Sequence, residues 1–253
     1  MSKLQTNTHQ GLFTAEYWYA AAKNFTNIKS LSVAALFIAL RIAVKFFDIQ
    51  VFPGLHISLD CYVNSLGSMI YGPLVSLVVG LLSDSLGYVL DPGGYAYFFP
   101  YTLIEMSSSL IFALFFWKRN VTVGRAVGAK FTINLICNIV LSSIASVWYN
   151  SIYYGASLTV AAITTYATNI GRVVKNIVLF PFEAILIAII IGACVPALKR
   201  LGIVAKETKQ YTFSKKHIIY LSVLVLVEIA LLVFFFIFLE DILNLLKIEL
   251  PQW

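Results

Sequence analysis

The chain has 253 residues, of which 60% are hydrophobic and 12% are charged, and its formal net charge is +6. A soluble domain normally carries about 25% charged residues, so this composition excludes an ordinary soluble protein and indicates an integral membrane protein. The sequence contains no Walker loop, which excludes ATP hydrolysis by that route, and its three isolated cysteines support neither a disulfide framework nor a zinc site.

Seven apolar segments approach the roughly 20 residues that a membrane-spanning helix needs. They are 31–47, 55–71, 73–90, 97–117, 128–148, 173–198 and 217–239. Between the second and the third, Tyr71-Gly72-Pro73 predicts a tight turn, because proline favours the first position of a helix. The predicted fold class is an all-α integral membrane protein with a six-helix bundle and one additional C-terminal transmembrane helix.

The segment between the fifth and sixth spans is only moderately apolar. Residues 149–171 contain many Ser, Thr, Asn and Gly side chains, and we predict a long external loop there, with room for one short helix. The alternative is a further spanning helix, which would reverse the orientation of every later segment.

Lysine and arginine residues near the predicted helix ends lie mostly on one side of the membrane. With seven spans and a cytoplasmic N-terminus, thirteen of the 18 basic residues are cytoplasmic, in agreement with the positive-inside rule. They are Lys3, Lys23, Lys29, Lys118, Arg119, Arg125, Lys130, Lys199, Arg200, Lys206, Lys209, Lys215 and Lys216. Topology and contact with anionic lipid thus explain the net charge without nucleic acid.

This topology divides the chain into four parts. They are a cytoplasmic N-terminal segment (1–30), a six-helix substrate-binding membrane domain (31–200), a basic cytoplasmic loop (201–216), and a further transmembrane helix with an external acidic tail (217–253).

Two basic residues lie near the end of the first span. A charge at the bilayer centre costs about 2.5–3.5 kcal/mol, so such residues persist when they pair, face a cavity or bind a ligand. Arg41 and Lys45 are four residues apart and share one helix face. We predict that Arg41 faces the interior and contacts the ligand, whereas Lys45 extends to the external interface.

A second polar group recurs at helical spacing at the outer end of the sixth span. It consists of Arg172, Lys175, Asn176 and Glu183. The two cations suit a ligand carboxylate, because Arg presents a planar pair of donors to it. The alternative is internal ion pairing, for example between Arg172 and Asp91, or between Glu183 and a base of the first span.

Other residues suit a flat heteroaromatic ring. Asp84 and Asn138 can bind donor and acceptor groups at the edge of such a ring. Aromatic side chains in the runs around residues 88–101 and 148–154 can stack on its face; the candidates are Tyr88, Tyr97, Phe99 and Trp148. The alternative for these aromatic residues is an ordinary belt at the membrane interface.

Several stretches together resemble a known family. They are ALFIALRIAVKFF at 35–47, HISL at 56–59, residues 69–103, SVWYNSIYYG at 146–155 and GRVVKNIVLFPFEAILIAII at 171–190. On these stretches the chain resembles the S components of energy-coupling factor (ECF) transporters, and more specifically the folate-family S components. Ala34, Ala35 and Ala39 match the small-residue motif that this family carries in its first helix.

The resemblance implies a bacterial plasma-membrane subunit that binds a vitamin, here folate, and has no energy source of its own. Its implied partner is a membrane-embedded coupling protein that carries two ATPase subunits and that contacts the three alanines. Neither a cofactor nor a metal ion is implied, and the chain is not expected to be an enzyme.

Three residues depart from the family pattern. His56 stands in place of an arginine, and Asp60 and Glu105 stand where small or apolar residues are expected. The two carboxylates would add negative charge near a site for an anion, which keeps open an S component for thiamin, riboflavin or a precursor. The seventh span, with Glu228, is also unusual. From another class, an integral-membrane enzyme acting on a lipid-linked substrate is the alternative.

Overall fold

The computed structural model describes residues 12, 14–47, 49–52, 55–57, 59–91, 96–155 and 157–204, with residues 208, 226 and 230 singly. In these ranges the chain forms helices and one two-stranded antiparallel hairpin. The elements are α1 (Ala15–Lys23), α2 (Ile28–Lys45), β1 (Ile49–Phe52), β2 (Leu55–Ile57), α3 (Asp60–Tyr71), α4 (Pro73–Leu90), α5 (Phe99–Phe116), α6 (Val123–Thr132), a π-helix (Ile133–Leu141), α7 (Ser142–Tyr153) and α8 (Leu158–Arg200).

The two N-terminal helices meet at a sharp bend of 78°. Asn27 forms this corner and begins α2, because its side chain accepts a hydrogen bond from the backbone N–H of Lys29 at 3.1 Å. The preceding turn is attached to the bundle by Asn24, whose Nδ2 donates to the carbonyl of Tyr71 at 2.9 Å. The corner therefore fixes where α2 enters the bundle.

The turn between α3 and α4 is confirmed. Gly72 has a φ of 80°, a conformation that glycine adopts without strain, and α4 begins at Pro73. A Cβ atom at Gly72 would also lie 2.7 Å from the ring of Trp117. The turn thus requires glycine for both its backbone angle and its packing.

The bundle core lies between α3, α5, α6 and α8, with a smaller cluster between α2, α3 and α4. Phe112, Phe116, Ile187 and Ile191 belong to the larger cluster and are buried. The helices α4 and α5 approach closely, since a Cβ added at Gly80 would lie 2.9 Å from the Cα of Met106. This close approach fixes the position of α5, which carries polar side chains into the interior of the bundle.

Helices long and apolar enough to cross a membrane are present, as predicted. The described part of the chain contains four, or five if the bent pair Ala15–Thr26 and Ile28–Lys45 is one span. The four are Pro73–Leu90, Phe99–Phe116, Val123–Tyr153 and Lys175–Arg200. The predicted seventh span, 217–239 with Glu228, lies outside the described residues apart from two single positions.

The predicted second span, 55–71, is too long. The helix α3 has 12 residues and begins at Asp60, while residues 55–57 pair with β1. The hairpin satisfies the backbone groups of this segment, and an acidic residue in the first turn is favourable for a helix that starts there. Hydropathy alone does not separate the apolar strand from the helix that follows it.

The long loop predicted at 149–171 is wrong. α7 continues to Tyr153 and α8 starts at Leu158, so only 154–157 separate them. Polar Ser, Thr and Asn side chains lowered the hydropathy of this segment without preventing a helix. Residues 158–171 belong to the same helix as the predicted sixth span; α8 has 43 residues, or about 65 Å at 1.5 Å per residue, which exceeds the roughly 30 Å of a bilayer core.

Candidate functional site

Two cavities lie against successive turns of α5. The first, here called the aromatic cavity, has a volume of about 460 Å³ and is lined by residues including Lys45, Asp84, Tyr88, Tyr97, Tyr101 and Tyr149. The second, here called the polar cavity, has a volume of about 310 Å³ and is lined by residues including Asp60, Glu105, Lys130, Asn138, Lys175 and Glu183. Both volumes are within the range of about 300–1,000 Å³ that is usual for small-molecule sites.

The aromatic cavity is built by rings from α4, α5 and α7. Tyr88 and Tyr97 lie with their ring centroids 5.1 Å apart. Phe98 makes an edge contact with Tyr149 at 5.5 Å, and Trp148 packs on Phe98 at 5.9 Å. The spacing of such pairs is that of favourable edge and offset contacts, so the walls of the cavity are flat aromatic surfaces.

A chain of hydrogen bonds holds Asp84 at the base of this cavity. Its Oδ1 is 3.3 Å from Nζ of Lys45, and its Oδ2 accepts from the hydroxyl of Thr102 at 2.7 Å. The hydroxyl of Tyr97 donates in turn to Thr102 at 2.8 Å. Both oxygens of Asp84 therefore have partners within the protein. Lys45, predicted to extend to the interface, pairs with Asp84 instead.

Arg41 lies at the centre of a buried ion cluster. Its Nε and Nη2 donate to the two oxygens of Asp60 at 2.7 and 2.6 Å, and Nη2 also donates to Oε2 of Glu105 at 2.9 Å. Nη1 donates to the hydroxyl of Ser109 at 3.2 Å. The Arg41 side chain is fully buried, so the geometry favours internal pairing, and its contact with a ligand stays a prediction.

The same cluster corrects the expectation about Asp60 and Glu105. Both were expected to add negative charge near a site for an anion. Arg41 binds both carboxylates, and the paired arrangement across a guanidinium is the strong form of a charge-assisted hydrogen bond. The negative charges of Asp60 and Glu105, the two acidic departures from the family pattern, are therefore paired with the positive charge of Arg41.

A second buried ion pair joins α6 to α8. Nζ of Lys130 is 2.9 Å from Oε2 of Glu183 and 3.6 Å from Sγ of Cys61. Lys130 was predicted to be a cytoplasmic cation near a helix end, but it is buried in the bundle; α6 begins at Val123, so residue 130 is about two turns inside the helix. The cytoplasmic location of the other twelve cations stays a prediction. The suggested partner of Glu183, a base of the first span, is likewise replaced by Lys130.

Three asparagines meet where the π-helix faces α8. Nδ2 of Asn138 donates to Oδ1 of Asn176 at 2.9 Å and to Oδ1 of Asn134 at 3.0 Å. A π-helix is rare and is frequently found at functional sites. The wider turn brings two amides of one helix to a single amide of the next, and Asn138 and Asn176 both line the polar cavity.

The structure divides the predicted site residues between the two cavities. Asp84, Tyr88 and Tyr97 line the aromatic cavity, and Trp148 contacts it through Phe98. Asn138, Lys175, Asn176 and Glu183 line the polar cavity. Phe99 is exposed and is not among the lining residues. Arg172 lies in α8, and the placement of its side chain is outside the described part of the structure.

The three alanines predicted as a docking surface do not share one face. Ala35 and Ala39 are exposed on α2, whereas Ala34 is buried with Phe37 and Tyr71. The prediction for Ala34 is therefore wrong, because neighbouring residues of a helix point about 100° apart.

Several residues that build the site were not among the predicted ligand contacts. They are Asp60, Cys61, Phe98, Tyr101, Glu105, Lys130 and Tyr149. The sequence did contain a signal for Lys130 and Glu105, because each is a charged residue within an apolar segment. Among the described residues, no group of three His, Cys, Asp or Glu side chains is placed to hold a metal ion.

Comparisons with known proteins point to one family. A family model described as "ECF-type riboflavin transporter, S component" matches residues 25–194. The chain is 32% identical over 154 residues to the folate transporter FolT of Clostridium novyi, covering 60% of this chain and 82% of that protein. It is 34% identical over 137 residues to FolT of Leuconostoc mesenteroides, covering 51% of this chain and 66% of that protein.

A solved structure shares the fold. The crystal structure of FolT bound with folic acid matches with a TM-score of 0.53 and 26% sequence identity, covering 64% of this chain and 91% of that one. These relatives are transport proteins and not enzymes.

Proposed function

Because the chain belongs to the family of S components of ECF-type transporters, we propose that it binds folate and delivers it to a membrane-embedded coupling protein with two ATPase subunits. The observation that carries the choice of ligand is the succession of an aromatic and a polar cavity along α5. Tyr101 lines the first, and Glu105, one turn later, lines the second. This arrangement suits an elongated ligand that has aromatic rings and a polar heterocyclic end.

The charges of the polar cavity favour the heterocyclic end of folate there. Three carboxylates line it, and three cations balance them: Lys130 and Lys175 in the lining, and Arg41 paired to two of the carboxylates. A neutral ring that offers donors and acceptors leaves this balance intact, whereas an added carboxylate disturbs it. Asn138 and Asn176 supply amide groups for the edge of the ring.

In this proposal the acidic tail of folate is bound by Arg172 of α8, because a guanidinium suits a carboxylate. Lys175, about one turn later in α8, lines the polar cavity and belongs to the cations that balance its carboxylates. The proposed contacts of the aryl ring are Tyr88 and Tyr97, and Trp148 supports the cavity through its contact with Phe98. In this proposal Arg41, Asp84 and Glu183 act through their ion pairs, and Phe99 contributes to the rim.

A second candidate ligand is riboflavin. The specific observation in its favour is the description of the matching family, while both transport relatives carry the name of a folate transporter. Thiamin or a precursor has no comparable observation in its support.

Direct binding separates these ligands. We expect the purified chain in detergent to bind folic acid at least a hundredfold more tightly than riboflavin, about 2.7 kcal/mol, by isothermal titration calorimetry. Reconstituted alone in liposomes without a gradient, the chain should accumulate no folate. A preference for riboflavin would overturn the choice of ligand, and uptake by the chain alone would contradict the role of a subunit that lacks an energy source.

The proposed topology places the N-terminus in the cytoplasm. In a background without Cys61, Cys137 and Cys194, we expect Tyr154→Cys to react with an impermeant maleimide in intact cells, because it lies between α7 and α8 on the proposed outer side. Leu201→Cys should react only in permeabilised cells; Leu201 is 72% exposed, so burial would not protect it. Gln252→Cys should behave like Tyr154→Cys if the seventh span crosses.

The three positions give distinct outcomes. Reaction of Leu201→Cys but not Tyr154→Cys in intact cells would invert the proposed orientation. If Gln252→Cys does not react in intact cells while the other two positions behave as expected, only the prediction that the seventh span crosses the membrane would be wrong.

A further inference from the structure

We propose that Glu105 decides which heterocycle the polar cavity accepts, by binding two neighbouring N–H donors at the edge of a 2-amino-4-oxopyrimidine ring. This inference rests on the proposed function, because the pterin of folate carries that edge. It assigns a role to Glu105, which stands where the family pattern has a small or apolar residue.

The carboxylate of Glu105 is held by Arg41 from one side. Nη2 of Arg41 donates to Oε2 at 2.9 Å. Among the described residues, no donor is bound to Oε1. The headgroup is therefore oriented by the protein and retains acceptor capacity, since an ionised carboxylate has about four lone-pair positions.

The other two carboxylates of the cavity are less available. Asp60 gives both oxygens to Arg41 and its side chain is 10% exposed, whereas that of Glu105 is 35% exposed. Glu183 pairs with Lys130 and its side chain is 13% exposed. Arg41 thus divides its donors unequally: it binds Asp60 through two hydrogen bonds and Glu105 through one. Glu105 is the carboxylate placed to meet a ligand.

The chemistry of the ring edge makes this contact selective. A pterin presents its exocyclic 2-amino group beside the ring N3–H, so a carboxylate can accept from both. A 2,4-dioxo ring, as in a flavin or a lumazine, presents one N–H between two carbonyl oxygens, and those oxygens oppose a carboxylate. A site built to hydrogen-bond a particular group strongly rejects an analogue that lacks it. Glu105 would therefore favour folate over flavins within a shared fold.

Two ligands of equal size test the proposal. They are folic acid and 2-deamino-2-hydroxyfolic acid, which has the same tail and a 2,4-dioxo ring. We expect the wild-type chain to prefer folic acid by about ten- to a hundredfold, as for one or two charge-assisted hydrogen bonds. Glu105→Gln keeps the shape but replaces one acceptor with a donor, so folic acid should bind more weakly by about tenfold or more and the preference should largely vanish.

The matched control is Glu183→Gln, which neutralises another carboxylate of the same cavity. It should leave the ratio of the two affinities unchanged, even if both affinities fall. Melting curves of each variant in detergent check that it is folded. Arg41 still has Asp60 as an ion-pair partner in Glu105→Gln, so this substitution does not leave Arg41 unpaired.

The outcomes separate this inference from the proposed function. An unchanged preference in Glu105→Gln, with folic acid still bound, overturns the role of Glu105 alone. Equal losses for both ligands would also overturn it, because they would place Glu105 in support of the fold. A wild-type chain that binds riboflavin and not folic acid overturns the proposed function, and the inference with it.

Discussion

Arg41→Leu is expected to destabilise the chain strongly, with a loss of about 3–5 kcal/mol in the free energy of unfolding. The side chain of Arg41 is fully buried and pairs with two carboxylates. Its removal leaves Asp60 as a buried charge without its partner, which costs more than the hydrogen bonds themselves. The fraction of folded chain after heating in detergent, followed by tryptophan fluorescence and size-exclusion chromatography, measures the effect.

A double substitution identifies the cause. Arg41→Leu combined with Asp60→Asn removes the stranded charge, and we expect it to recover most of the stability. Lys45→Met is the matched control, since its pair with Asp84 is partly exposed; it should cost about 1 kcal/mol or less. If Arg41→Leu instead keeps its stability and loses folate, Arg41 contacts the ligand directly, as the sequence predicted.

Ala39→Trp is expected to lower folate uptake in cells by tenfold or more, equivalent to about 1.4 kcal/mol or more of coupling free energy, while folate binding to the purified chain changes less than twofold. Ala39 and Ala35 are exposed on α2, and small residues four apart allow two helices to approach closely within lipid. Tryptophan fills that space and prevents close contact with the proposed coupling protein. Uptake of labelled folate by cells that contain all subunits measures the effect.

Leu82→Trp is the control for this substitution. Leu82 is an exposed apolar residue of α4, so the same side chain is added to another outward face of the bundle, and uptake should be retained. Loss of folate binding in Ala39→Trp, with assembly of the complex intact, would show that this face of α2 supports the ligand site and not the docking. Equal loss of uptake in both variants would indicate a general effect of size at the surface.

The sequence predicted well those helices whose position depends only on neighbouring residues in the chain. The helices α4 and α5 follow the predicted spans 73–90 and 97–117 to within two residues, because an apolar run of that length and a Gly-Pro turn define a span without reference to the rest of the chain. The prediction for the segment 149–171 was wrong because it relied on hydropathy alone. Its Thr and Asn side chains lowered the hydropathy, but they are compatible with a helix, and residues 158–171 belong to α8.

Composition and the charges within apolar segments determined, from the sequence alone, that this is a membrane bundle with a polar interior, and the resemblance determined its family. Only the tertiary structure decided how those charges are used. Arg41 pairs with residues 19 and 64 positions away, and Lys130 pairs with Glu183 on another helix. Such pairs depend on the depth and rotation of one helix against another, which the spacing within a single helix does not contain.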